Sequence, residues 1–278
     1  MNEYQRNKTG RKIARSVIVL VIAFICAIPL YYVVISSFKT TTDMAQHPLS
    51  LPTTWVFANY AEAFASGGIF RAFLNTLIVT VLGVTLQVFI GSLAAYGMIL
   101  RKNVFTIVVG MILMITFTIP AQATLLPLYK LEGALGLVNT LTGLVFMYLG
   151  GSVFCYFLII GYMRQLPVEL FEAARIDGAG PFRIYWSICI PLIRPILTTV
   201  IVFQTLATWN DFLTPSVFIS SEEKRTVVLQ VYNAVTAFST NWPLFMAIAV
   251  VALIPVVIFF LFCQRWIVSG LVAGAVKG

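Results

Sequence analysis

The sequence predicts an all-α integral membrane protein with six transmembrane helices and both termini in the cytoplasm. Three observations carry this. The 278 residues are 60% hydrophobic and only 10% charged, whereas a soluble domain carries about 25% charged residues. Stretches without charge, or with one isolated acid, fall at residues 16–38, 72–100, 103–129, 133–163, 195–221 and 226–264. Each is long enough to hold a span of about 20 apolar residues. Thirteen of the 18 Lys and Arg residues fall on one side of the resulting topology, and the positive-inside rule makes that side the cytoplasm. Run lengths of this size without strict alternation exclude a transmembrane β-barrel.

The first stretch follows Arg6, Lys8, Arg11, Lys12 and Arg15. A basic tail before an apolar run imitates a signal peptide. This run is too long and lacks a small-residue cleavage site, so it reads as an uncleaved signal anchor. Residues 39–68 contain Pro48, Pro52, Trp55, Asn59 and Tyr60 and belong at the outer membrane face, with the rings at the interface. His47, the single histidine, reads there as solvated. Within the spans, Gly91 and Ala95 form a small-xxx-small pair, and Gly143, Gly150 and Gly151 offer further close contacts. Pro29, Pro120 and Pro255 should kink their helices. Asp211 interrupts the fifth stretch. In the last, residues 226–243 include Asn233, Ser239, Thr240 and Asn241 and read as loop, leaving a helix over 244–263.

The other inner-side cations are Arg101, Lys102, Arg164, Arg175, Arg183, Arg194, Arg265 and Lys277; Lys39, Arg71, Lys130, Lys224 and Arg225 face outward. The net charge of +8 is therefore mostly topology, with some attraction to anionic membrane lipid, and implies no nucleic acid. Cys26, Cys155, Cys189 and Cys263 lack ligand spacing and read as small apolar fillers rather than disulfides or metal ligands.

The polar exception is residues 164–195. Leu166, Leu170 and Ala173 recur at helical spacing, with Glu169, Glu172 and Arg175 on the other side. Glu172 and Arg175, three apart, are able to pair. The run Asp177-Gly178-Ala179-Gly180 is a stop, because glycine tolerates the left-handed conformation. Pro181 suits the first turn of a second helix, which Pro191 and Pro195 should break. Two short helices and a turn make a compact knob at the membrane face.

Here Glu172-Ala173-Ala174, Asp177-Gly178 and Ile190-Pro191 resemble the EAA signature of permease subunits of bacterial ATP-binding cassette importers. The chain end Gln264-Arg265, Gly270-Leu271 and Ala273-Gly274-Ala275-Val276-Lys277-Gly278 is similar to the ending of the smaller permease of maltose-type carbohydrate importers. The resemblance covers most of residues 71–278. It implies the type I importer permease fold. It also implies that Glu172, Ala173, Ala174, Asp177, Gly178 and Ala179 dock into a cleft on an ATP-hydrolysing subunit. The tail, with Gly270, Leu271, Gly274 and Lys277, would extend toward the same ATPase dimer. It divides the chain into a tail, first helix and outer loop (1–70), a permease domain (71–264) and a cytoplasmic C-terminal tail (265–278).

Polar residues inside spans are costly and therefore informative. The candidates are Asn75, Gln87, Gln122, Gln204, Asn210 and Asp211. Asp211 lies about 22 Å beyond Pro195 on helical rise, in the outer half. Trp209-Asn210-Asp211 could stack on and hydrogen-bond a sugar, or form an interfacial belt and a helix-end cap; both readings stand. A similar Trp-Asn-Asp-Phe run occurs in sugar-importer permeases. Asn75, Gln122, Trp209, Asn210 and Asp211 are thus the candidates for a substrate path or gate.

The expected function is the non-catalytic permease subunit of an ATP-driven importer of a sugar or oligosaccharide. No phosphate-binding G-x-x-x-x-G-K-[ST] motif occurs, so no cofactor is expected on this chain; the resemblance implies that two partner ATPase subunits bind ATP with magnesium. Six helices make half a pathway, so a second permease is expected; the short chain and its ending favour a heterodimer, and the resemblance implies an extracellular or periplasmic binding protein that delivers the solute. The alternative is a self-sufficient secondary transporter or channel. Such proteins show internal repeats and mid-membrane coupling-ion sites, and here the only intramembrane acid is Asp211. An intramembrane enzyme would need facing catalytic groups, and no span holds a histidine.

Overall fold

The computed structural model describes residues 3–65, 68–100, 103–167, 169–237 and 241–275, with side chains described for 12–65, 68–100, 103–167, 169–234 and 241–264. Among the described residues every regular element is helical. The chain divides into two compact units, Met1–Ile69 with Val231–Ile254, and Phe70–Gln230 with Pro255–Gly278.

The first unit opens with α1 (Glu3–Ser36), which runs unbroken through Pro29. Its apolar stretch Lys12–Ser36 is almost wholly exposed until Ile35 and Ser36. The segment after α1 is ordered by buried polar groups and one aromatic cluster. Lys39 is fully buried, and its ammonium donates to the carbonyls of His47 and Pro48. Asn59 donates to the carbonyls of Ser37 and Lys39. Helix α2 (Thr41–Gln46) is capped by Thr40. Its Asp43 accepts from the Thr53 amide at 3.1 Å and meets His47 Nδ1 at 3.3 Å. His47 is thus exposed yet partnered. Phe38 packs its ring against Trp55, Phe57 and Tyr60, the last on α3 (Ala58–Ala65).

The second unit is built on α4 (Ile69–Leu100). Helix α5 (Val104–Thr118) starts from a capping box between Asn103 and Thr106. It meets α6 (Ala121–Ala134) at an angle of 103°. Pro120 is the N-cap of α6, so this proline breaks the span rather than merely kinking it. Helices α7 (Leu141–Tyr148) and α8 (Ser152–Met163) are joined by a 3₁₀ turn into one span, Leu141–Met163. The close approach of α4 to α8 depends on Gly91. A Cβ there would lie 2.6 Å from Cys155 Cβ, and Ala95 and Cys155 are both fully buried.

The polar segment carries α9 (Glu169–Ile176), α10 (Pro181–Ile184) and α11 (Ile190–Leu192), the last two bridged by a π-helical turn Tyr185–Cys189. Pro191 therefore does not end the second helix. The widened turn accommodates its ring and its missing N–H. The break comes at Ile193, where the chain bends by 78° into α12 (Arg194–Trp209) with Pro195 in its first turn. Then follow α13 (Leu213–Phe218), α14 (Val227–Ala237) and α15 (Trp242–Ala275).

Two expectations change here. Residues 227–237 are helix, not loop. Their apolar residues recur at helical spacing, and the Val227 amide is held by Thr76 Oγ1 at 2.8 Å. Residues 265–275, which composition alone reads as flexible tail, continue α15. Among the described residues four single helices are long and apolar enough to cross a membrane, and the two bent pairs bring the number to six where each pair counts as one span. All four cysteines are unbridged.

Candidate functional site

Helix α9 ends in a full Schellman turn. The Ala179 amide reaches the Ala174 carbonyl and the Gly178 amide the Arg175 carbonyl, each at 3.0 Å, and Gly178 adopts φ +80°. The stop read from Asp177-Gly178 is thus where the sequence places it. The buried face is different. Phe171 (2% exposed) and Ala174 (7%) point inward, while Leu170 and Ala173 are exposed. The anchor is aromatic. Tyr96 of α4 lies 6.5 Å from Phe171 and 5.3 Å from Tyr185 between ring centroids. The Tyr96 hydroxyl donates to the Pro181 carbonyl at 2.8 Å, and Ser92 and Tyr185 share a 2.7 Å hydrogen bond.

This leaves an outer surface of mixed character. Ile176 is 86% exposed and Phe182 77%, beside Glu172, Asp177 and Arg183. Glu172 and Arg175 form no ion pair with each other. A rigid knob showing apolar side chains rimmed by charge is chemically suited to a protein cleft. Ser92, Tyr96, Phe171 and Tyr185 were missed in the sequence. The available signal was tyrosines within helix-forming apolar runs, whose hydroxyls need partners.

The span candidates do not converge. Asn75 donates to the carbonyls of Glu223 and Arg225 at 2.9 and 3.0 Å, clamping the turn before α14. Gln122 is exposed at the start of α6. Asn210 donates to the Leu206 carbonyl of its own helix. Asp211 caps α13 through the Leu213 amide at 2.9 Å and accepts from the Tyr148 hydroxyl at 2.9 Å. Trp209 lines a cavity of about 440 Å³ between α4, α12 and α15. Gln204 reaches Gln87 across the helices and the Gly151 carbonyl at 3.1 Å. In the tail, Gly270, Leu271 and Gly274 lie on α15 with their side-chain surroundings undescribed, and Lys277 lies outside the described residues.

The family model "Binding-protein-dependent transport system inner membrane component" matches residues 87–272. The chain belongs to this family. It is 37% identical, over 93% of its length and 94% of the relative's, to the "Probable starch degradation products transport system permease protein AmyC" of Thermoanaerobacterium thermosulfurigenes. It is 32% identical to the melibiose/raffinose/stachyose import permease protein MelC of Bacillus subtilis (strain 168), over 98% of this chain and all of that one. A chain in the crystal structure of a bacterial ABC transporter involved in the import of the acidic polysaccharide alginate superposes with a TM-score of 0.81 at 25% identity. The match covers 95% of this chain and 99% of that one. As a member of this family the chain is a membrane permease component.

Proposed function

We propose that this chain is the non-catalytic permease subunit of a bacterial ATP-driven importer for a sugar or oligosaccharide. The observation that carries the reading is the knob. Its Schellman-locked turn and buried Phe171 fix it to α4, while Ile176 and Phe182 stand out beside Glu172 and Asp177. Ala173 and Ala174 keep α9 slim, and Gly178 and Ala179 close its end. These residues fit the cleft of an ATPase subunit, two of which bind ATP and magnesium and supply hydrolysis. Both termini face the cytoplasm, supported by the lysine and arginine asymmetry. The α15 end, with Gly270, Leu271, Gly274 and Lys277, reaches toward the ATPase pair. The permease domain is 71–264, flanked by 1–70 and 265–278.

A second permease completes the pathway, supported by the apolar and almost unburied stretch of α1. An extracellular or periplasmic binding protein delivers the solute. The sugar class is supported by the names of the relatives at 37% and 32% identity.

The test is thiol labelling of an Ile176→Cys protein whose native cysteines are replaced. An impermeant reagent should modify it in inverted vesicles and not in intact cells, and a co-expressed ATPase should protect it. Labelling from outside intact cells would overturn the reading.

A further inference from the structure

A second cavity, of about 830 Å³, opens where α4, α5 and α8 meet at the end of the spans that carries the knob. Its walls place it there. Met98 and Ile99 close α4, Thr106 and Ile107 belong to the first turns of α5, and Arg164 and Leu166 follow α8. The volume lies within the range of small-molecule sites, about 300–1,000 Å³. Its deeper wall is apolar, from Met111, Met114, Phe157 and Ile160. Gly110 and Gly161 on the same wall leave it room. A Cβ at Gly161 would meet nothing within 4 Å, and one at Gly110 would stand 3.9 Å from the Tyr156 hydroxyl across the cavity. Arg164 is the one charged residue of the lining. It is exposed, and among the described residues no ion pair includes it. A trough of hydrocarbon with one free cation at its mouth is matched by a molecule with an apolar tail and an anionic head.

We propose that this cavity holds an anionic phospholipid from the leaflet on the knob side, with its phosphate on Arg164 and one acyl chain laid between α5 and α8. A guanidinium meets a phosphate through paired, charge-assisted hydrogen bonds, and basic pockets between spans take anionic head groups. The tail supplies fit and little selectivity, because an acyl chain leaves surroundings as apolar as the wall it enters. The head group therefore decides which lipid stays. A choline head carries its own cation beside the phosphate and competes with Arg164, whereas a glycerol head does not. Arg164 also caps the end of α8, five residues before α9 begins, so the bound head group sits at the root of the knob. The proposal goes beyond the transport reading and is independent of what solute is carried.

The test uses the membrane complex purified through this chain and placed in phosphatidylcholine vesicles. These carry a trace of phosphatidylglycerol bearing a photoreactive diazirine on one acyl chain. After illumination the attachment sites are mapped. The probe should attach within residues 104–114 and 156–164. Unlabelled phosphatidylglycerol should displace it better than added phosphatidylcholine, and inorganic phosphate should not displace it. Arg164→Gln should lower that head-group preference about fivefold, the worth of one cation beside an anionic lipid. Arg194→Gln, which removes an exposed cation at the start of α12, should leave it unchanged. Gly161→Leu puts a side chain into open space and should abolish attachment at the cavity while the complex elutes as before, which separates a filled site from a misfolded one. Equal displacement by the two lipids overturns the proposal, as does an unchanged preference in Arg164→Gln. So does attachment spread evenly over the exposed apolar residues of α1 and α5. A photoreactive residue at position 111 that attaches to another protein subunit instead of lipid would make the cavity a subunit interface and overturn it as well.

Discussion

The Tyr148 hydroxyl donates to Asp211 Oδ2 at 2.9 Å across 63 positions of sequence, while Asp211 Oδ1 holds the Leu213 amide at 2.9 Å. One carboxylate therefore closes a helix end and satisfies a half-buried phenol. Asp211→Ala removes both contacts and should destabilise the protein by about 1–3 kcal/mol. Tyr148→Phe should cost about 1 kcal/mol. Thermal unfolding of the purified protein checks this, and the double variant should be less destabilised than the sum of the two.

Glycine substitutions should sort by neighbour. At Gly91 a Cβ would lie 2.6 Å from Cys155 Cβ and 2.9 Å from the Ser152 carbonyl oxygen, so Gly91→Ala forces α4 and α8 apart at about 1–3 kcal/mol. Gly97 lies on the same helix with nothing within 4 Å. Gly97→Ala should be neutral or stabilising by up to about 1 kcal/mol. Melting temperatures of the two variants should move in opposite directions or differ by several degrees.

In the knob, Gly178 holds φ +80°, whereas Gly180 sits at φ −69° in open space. Gly178→Ala should cost about 1–2 kcal/mol of left-handed strain and weaken ATPase co-purification and transport together. Gly180→Ala should do neither. Equal behaviour of the two variants in a pull-down would remove the turn geometry from the mechanism.

The segment between α1 and α3 should be acid-sensitive. The Thr53 amide, with help from His47 and Lys39, holds the Asp43 carboxyl below its ordinary value near 3.8. A depressed carboxylate stabilises the fold above that value, and the stabilisation is lost as pH falls below it. Proteolysis of residues 39–60 should rise below about pH 4. In Asp43→Asn it should be high at neutral pH and should not change there.

Much of this was legible because the physics was local. Charge-free runs located the spans, and Asp177-Gly178 located the helix stop. What stayed hidden depended on distant partners. Nothing near Asn75 announces that the carbonyls of Glu223 and Arg225 receive it. Gln87 and Gln204 stood out as costly polar residues, but their pairing did not. The face of α9 was misassigned because Leu170 and Phe171 are both apolar, and only the position of Tyr96 selects Phe171 for burial. Helix α14 was hidden by the polar residues that follow it, which diluted its own apolar pattern.

Ser92 and Tyr96 lie one turn apart on α4, and Thr80 lines the cavity between α4, α12 and α15 16 residues back along the same helix, about 24 Å away by helical rise. One continuous helix, with Gly83 and Gly91 inside it, joins the two places. If the knob is moved by a partner, the Ser92–Tyr185 hydrogen bond is where that movement would enter α4, and Ser92→Ala would loosen the joint without touching either end of the rod.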